Sequence, residues 1–243
     1  MTRRRMRPFN RSLHPDDYEM LSAFDKVLHM HLDDMVRRNV PHRDWHPHRF
    51  WEYGSILQQL TMLDVPRDAE VIDLGSGASF FDPLLAQSYP QLCCTDSMKY
   101  GDVTAIAAAQ REAYGVAMPL YDLLLEDMSP RAEIGWGDAT DKFDVTMCIS
   151  TIEHVNDHDA AMRELVRITK PGGFVFITSD YFRDLPQWEA SPSRHLQVTP
   201  YRQSFVEALP QQFGLEFVGD TDFIYRGDFV HSYSFVNICM RKM

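Results

Sequence analysis

The segment Val71-Ile72-Asp73-Leu74-Gly75-Ser76-Gly77 constrains this chain more than any other. An apolar run closes on an acid, and two glycines then flank one small residue. A strand buried on both faces reads as a near-continuous apolar run. Glycines directly after it let backbone approach a ligand where a Cβ would clash. A second short apolar run ends in Cys94-Thr95-Asp96, which sets Asp96 nineteen residues past Gly77. In a strand–turn–helix–strand unit, an acid at that place accepts hydrogen bonds from both ribose hydroxyls of a nucleoside.

The kind of nucleoside follows from what the loop lacks. A dinucleotide fingerprint needs glycine at the sixth loop position, where Gly75-Ser76-Gly77-Ala78-Ser79-Phe80 has Phe80. No Gly-Lys-Ser/Thr triplet occurs, which excludes a P-loop. Asp73 adds negative charge beside the turn, which repels phosphate and suits an ammonium or sulfonium group. A nucleoside without pyrophosphate fits best.

Further pieces recur in order along the chain: Gly137-Asp138-Ala139, Phe143-Asp144-Val145, Ile152-Glu153-His154-Val155 and Leu165-Val166-Arg167-Ile168-Thr169-Lys170-Pro171-Gly172-Gly173. With Val71 to Gly77 and Asp96, they make the stretch from Glu70 to Ser179 resemble the class I methyltransferases that use S-adenosyl-L-methionine, of the type 11 kind. Ser79 stands where many members carry a third glycine. The resemblance implies an α/β fold: a Rossmann-like, doubly wound, seven-stranded sheet whose last strand is antiparallel.

It also implies the cofactor and its contacts. Backbone at Gly75, Ser76 and Gly77 meets the methionine part, and Asp73 attracts its amino group. Asp96 holds the ribose, with Ser97 and Met98 beside the adenine. Asp138 accepts from the exocyclic amine and Ala139 donates its backbone N–H, while Ile149 and Ser150 form another wall. Only three residues separate Ala139 from Phe143, short for this family, so Asp138 also reads as an ordinary turn acid.

The order of elements agrees with that fold. Asp16 to Arg38 and Arg49 to Leu63 show apolar residues at helical spacing, with a His- and Pro-rich linker at Asn39 to His48. They form an N-terminal helical addition, residues 1–65, ahead of a cofactor-binding domain over 66–243. The addition either covers the substrate side or caps the sheet. Core strands are expected at Glu70 to Leu74, Leu92 to Thr95, within Ala132 to Gly137, at Phe143 to Ile149 and at Phe174 to Thr178. A sixth follows Phe213, and Phe229 to Met240 is the last. Helices alternate with them at Pro83 onward, Asp102 to Tyr114, Asp157 to Ile168 and Pro200 to Gln212. Lys170 to Gly173 reads as a turn.

Composition narrows the setting. No apolar run approaches membrane-spanning length, and the start carries no secretory signal. Cys93, Cys94, Cys148 and Cys239 lie in apolar runs without metal-type spacing, which reads as reduced core thiols in a cytoplasmic protein. The net charge of −11 disfavours a nucleic-acid partner. Against it stands a basic tail, Arg3, Arg4, Arg5, Arg7 and Arg11, read as solvated, or as touching a phosphate-bearing substrate or a membrane surface. His42, His46 and His48 with Asp44 have spacing a zinc ion accepts, but a solvated linker is the preferred reading and no metal is assigned. The first helix fits either a homodimer contact or coverage of its own sheet.

Methyl transfer from a sulfonium needs alignment and exclusion of water rather than a metal. A hydroxyl acceptor also needs a base. His154, after the fourth core strand, Asp180, closing the fifth, and His195, in the long loop from Thr178 to Thr199, are the candidates. Each has a plain alternative, as packed helix-start histidine, loop cap and solvent-facing histidine. Ile149-Ser150-Thr151-Ile152 lacks the prolines of amino-methylating DNA enzymes, and no Pro-Cys pair occurs. Arg49-Phe50-Trp51-Glu52-Tyr53 resembles methyltransferases associated with glycan modification. The expectation is O-methylation of a sugar-containing or other small polar acceptor. A protein or RNA acceptor, a non-catalytic cofactor-binding scaffold and a dinucleotide oxidoreductase stay open as alternatives.

Overall fold

The structure is a computed structural model, described for residues 9–14, 17, 23–43, 47–99, 101–126, 128, 139–190, 199–226 and 234–243. The N-terminal part gives β1 (Asn10–Ser12), α1 (Ala23–Arg37) and α2 (Pro47–Met62). The alternating core follows with β2 (Val71–Leu74), α3 (Phe81–Ser88), β3 (Cys93–Asp96), α4 (Thr104–Tyr114), β4 (Leu120–Asp122) and β5 (Phe143–Ile149). After a single 3-10 turn at Ile152–His154 come α5 (His158–Ile168), β6 (Thr169–Tyr181), α6 (Leu185–Ala190), α7 (Gln203–Phe213), β7 (Leu215–Phe217), β8 (Thr221–Asp222) and β9 (Ser234–Lys242).

The strands form one sheet in the order β4-β3-β2-β5-β6-β9-β1-β8, with β7 also on β9. β4, β3, β2, β5 and β6 are parallel. β9 runs antiparallel to β6 from Phe174↔Arg241 to Tyr181↔Ser234. This is the doubly wound sheet with an antiparallel last strand. From β2 the chain moves outward through β3 and β4, then returns to the other side of β2 as β5. That reversal opens a crevice at the strand ends, where such folds bind ligands.

Strand alternation divides the core between the two faces. Ile72 and Leu74 pack with Leu165 of α5 and Val206 and Leu209 of α7. Val71 packs the other way, with Leu28 of α1, Ile56 of α2 and Leu85 of α3. The α5 helix starts where it should because the Asp157 side chain accepts from the Ala160 N–H at 2.9 Å, satisfying a first-turn donor.

Several boundaries differ from the sequence reading. The described residues hold nine strands rather than seven, because β1 and β8 extend the edge beyond β9. β1 lies in what reads as a solvated basic tail. Its Asn10 side chain donates to Val218 O at 2.7 Å and accepts from Cys239 N at 2.5 Å, and Arg11 bonds Asp17 at 2.7 Å. Arg3, Arg4, Arg5 and Arg7 lie outside the described residues, as do Asp44 and His46. His48 stacks on Phe235 at 4.2 Å. The place beside β3 is taken by β4 at Leu120–Asp122, whereas residues 132–137, where the third core strand was expected, lie outside the described set. The helix expected to begin at Pro83 begins at Phe81. Lys170 to Gly173 turns within the span of β6, four residues standing against the single Asp144 between the Thr169–Phe143 and Phe174–Val145 pairs. Gly172, at φ +78, provides the left-handed step of that turn.

Candidate active site

A cavity of about 330 Å³ opens at the C-terminal ends of β2, β3 and β5. The turn after β2 forms its floor. Gly75 N–H and Ser76 N–H both donate to Thr95 O at 2.9 Å, which ties the turn to β3. Gly75 sits at φ +80, and a Cβ there would lie 2.2 Å from Thr151 Cγ2. Glycine is thus required both by conformation and by the close approach of the segment after β5. Asp96 Oδ2 accepts from Gly77 N–H at 3.0 Å and Oδ1 from Met98 N–H at 2.8 Å. The carboxylate is held by backbone and lines the cavity.

Asp73 is buried against Asp82 of α3. Burial pushes its carboxyl up to about 6, and burial with the neighbouring Asp73 charge holds Asp82 well above the usual carboxylate range. Oδ1 of each is buried without a partner among the N–H and O–H donors of other described residues. One proton shared by the pair meets that need. The glycine turn, Asp73 and the anchored Asp96 share one cavity wall, and they are the groups that would hold the methionyl, amino and ribosyl parts of S-adenosylmethionine.

The far wall comes from α2. Tyr53 stacks on Phe81 with ring centroids 4.4 Å apart and meets Phe80 edge-on at 5.2 Å. Phe80, at the position a dinucleotide loop gives to glycine, anchors the helix instead. This docking buries Glu52 completely. Its Oε1 accepts from Ser150 Oγ and Thr178 Oγ1, both at 2.5 Å, and its Oε2 pairs with Arg49 Nη1 at 3.1 Å. Behind it, burial and the Glu52 charge raise Asp180 to about 7. Glu153 is held well above the usual range by burial and by Asp180. His154 goes the other way: burial first, then Arg49 and Lys99, keep its imidazole below 6.5.

Of the residues expected at the site, Asp73, Gly75, Ser76, Gly77, Asp96, Ser97, Ile149, Ser150 and His154 line the cavity. Met98 contributes its backbone N–H to Asp96 while its side chain packs on the Ala78, Val103 and Ala107 cluster. Ala139 is in the core with Leu123 and Phe143, and the adjoining cavity wall is Leu123 to Glu126. Asp180 is buried at the end of β6 and is not among the lining residues. Asp138 and His195 lie outside the described residues. Sequence reasoning missed Arg43, Arg49, Tyr53, Lys99 and Leu123 to Glu126, which also line the cavity, and it missed Glu52 behind them. For Arg49 and Glu52 a signal existed: opposite charges three apart, the acid between Trp51 and Tyr53.

Residues 72–177 match a family model described as a methyltransferase domain. The ubiquinone biosynthesis O-methyltransferase of Pseudomonas aeruginosa (strain LESB58) is 26% identical over 144 residues, which is 54% of this chain and 58% of that protein. The protein of the same name from Stutzerimonas stutzeri (strain A1501) is 25% identical over the same shares. The chain thus spans 58% of the length of these curated relatives. Among solved structures, an S-adenosylmethionine-dependent methyltransferase from Clostridium acetobutylicum ATCC 824 is similar at TM-score 0.59 and 11% identity, covering 91% of this chain and 99% of that one. The [4+2]-cyclase SpnF is similar at TM-score 0.59 and 14% identity, over 78% of this chain and 80% of its own. These two likenesses establish the fold. The sequence match over residues 72–177, less than half of the chain, makes the part built on β2 to β6 similar to methyltransferase domains.

Proposed function

We propose that this chain transfers a methyl group from S-adenosylmethionine to an oxygen of a small polar acceptor, and that a sugar-containing acceptor is the narrower form of this activity. One observation carries the reading: the cofactor-side groups Asp73, Gly75 to Gly77 and Asp96 line the same cavity as His154. The fold by itself hosts unlike reactions, so the site has to make the case. The bound cofactor supplies an electrophilic methyl group on a sulfonium. Backbone at Gly75 to Gly77, the Asp73 carboxylate and the Asp96 carboxylate hold and orient it.

His154 would receive the proton from the acceptor hydroxyl as that oxygen bonds to the methyl carbon and the methyl–sulfur bond breaks, its electron pair staying on the sulfur of S-adenosylhomocysteine. Burial and two neighbouring cations keep the imidazole neutral at physiological pH, which is the form a base requires. The names of the relatives, O-methyltransferases of ubiquinone biosynthesis, support oxygen as the reacting atom. The Arg49 to Tyr53 segment supports the sugar-containing class, since Arg49 and Tyr53 both line the cavity. Four free, buried thiols support a reducing, cytoplasmic setting.

The test uses S-adenosylmethionine labelled in its methyl group, with monosaccharides and aromatic diols as acceptors. We expect label in a methyl ether, and a His154→Ala variant slower in kcat by about 10²–10⁴-fold with little change in the KM for cofactor. Transfer that stays at the native rate in the variant removes His154 as the base. Labelled product from amines alone contradicts the oxygen assignment.

A further inference from the structure

The bend at the end of β5 has a conformation that its own residue disfavours. Ser150 lies in the left-handed region at φ +44, which glycine, asparagine and aspartate enter far more readily than serine. Thr151, next in the chain, donates through Oγ1 to Gly75 O at 3.0 Å and takes the space that a Cβ on Gly75 would need. Thr151 O accepts from His154 N–H at 2.9 Å. One bend therefore sets both the packing on the glycine turn and the start of the turn that carries His154.

What holds the bend reaches it from another element. Ser150 N–H donates to Thr178 O and to Thr178 Oγ1, both at 3.0 Å. Thr178 Oγ1 and Ser150 Oγ then donate to a single oxygen, Glu52 Oε1, each at 2.5 Å. Glu52 stands on α2, 98 residues before Ser150, and is fully buried. Hydrogen bonds to a carboxylate away from water are the strong kind. Its other oxygen is held by Arg49 at 3.1 Å, so the carboxylate itself is fixed. Glu52 is not among the residues that line the cavity, and any effect it has on a ligand there passes through these partners.

We propose that Glu52 is a positioning residue for methyl transfer: through Ser150 and Thr178 it locks the bend after β5, which seats Thr151 on the glycine turn and sets His154 in the cavity. The N-terminal helix then governs cofactor binding from outside the cavity. This deepens the reading of the cavity as a methyl-transfer site and rests on it.

The experiment measures the dissociation constant of S-adenosylhomocysteine by calorimetric titration of the full chain, beside urea unfolding of the same proteins. Glu52→Leu, which offers no acceptor, and Thr178→Val, which leaves the Glu52–Arg49 pair in place, should each weaken binding about tenfold or more. Glu52→Gln still accepts from both hydroxyls and should stay within about threefold of the wild type. Ser150→Ala and Ser150→Gly both lose the hydroxyl, but glycine takes the bend without strain. Ser150→Gly should therefore bind more tightly than Ser150→Ala, and Glu52→Leu should cost less in the Ser150→Gly background than in the wild type.

A tether that serves stability alone lowers the urea midpoint and leaves the dissociation constant of the folded chain unchanged, which overturns the proposal. Equal weakening by Glu52→Gln and Glu52→Leu overturns it too, because the Arg49 pair and not the bend would then set the affinity. If Glu52→Leu does not fold, Thr178→Val decides. A wild-type chain that binds no S-adenosylhomocysteine overturns the cofactor reading and this proposal with it, whereas wild-type binding with unmoved variants overturns the proposal alone.

Discussion

At the scale of single residues, Asp73 shows how the fold prepares a group before any ligand arrives. Burial favours its neutral form and raises the carboxyl to about 6 from an ordinary 3.8. The neutral form costs the fold least, so this residue becomes a stability cost as pH rises from 3.8 toward 6. An ammonium needs the ionised form. Affinity for S-adenosylhomocysteine should therefore be full above pH 6 and fall by up to about tenfold per unit below it, as Asp73 must then release a proton on binding. Asp73→Asn should bind more weakly at neutral pH and flatten that acidic limb, measured by calorimetric titration from pH 5 to 8. An unchanged limb in the variant assigns the proton to another group. The glycine turn, Asp73 and Asp96 were legible in sequence because their constraint is local: a strand, a tight turn and a second strand at fixed spacing. Nothing local in the sequence says that Leu123 to Glu126, bonded through Leu123 N–H to Asp96 O at 3.0 Å, also lines the cavity.

At the scale of elements, α2 is part of the site and more than a cap on the sheet. Its Tyr53 grips Phe80 and Phe81, its Glu52 joins β5 to β6 through Ser150 and Thr178, and its Arg49 reaches the cavity. Removing one partner of a buried ion pair costs about 3–5 kcal/mol, because the remaining charge is left stranded. Glu52→Ala should lower stability by that order in urea unfolding, and Glu52→Gln, which keeps acceptance from the hydroxyls, should lower it less. Equal losses would mean that the hydroxyl hydrogen bonds contribute nothing, and an undiminished stability in Glu52→Gln would mean the same of the ion pair. Periodicity predicted this helix well, to within two residues at either end. It could not predict its role, because the partners Ser150 and Thr178 are 98 and 126 residues away. The edge strands β1 and β8 escaped for a related reason. Three- and two-residue strands carry no period, and only their pairing with β9 and with each other defines them.

At the scale of the whole molecule, a chain of net charge −11 gathers Arg43, Arg49 and Lys99 beside Asp73, Asp96 and Glu126 on one cavity wall. The overall charge speaks against a large nucleic-acid footprint. The doubly wound sheet makes the wall possible: the reversal at β2 and β5 gathers the cofactor loops, and the N-terminal part folds back across the same edge to complete the enclosure. No helix among the described residues is long and apolar enough to cross a membrane. The central claim is that these strand ends hold S-adenosylmethionine. The most direct test is calorimetric titration of the full chain with S-adenosylhomocysteine, with NADH as the control and Asp96→Ala as the variant. The account predicts binding on the order of micromolar for S-adenosylhomocysteine and none for NADH, with a loss of about 100-fold or more in the variant while its circular dichroism stays native. Tight NADH binding, or S-adenosylhomocysteine affinity that survives the loss of Asp96, would contradict it.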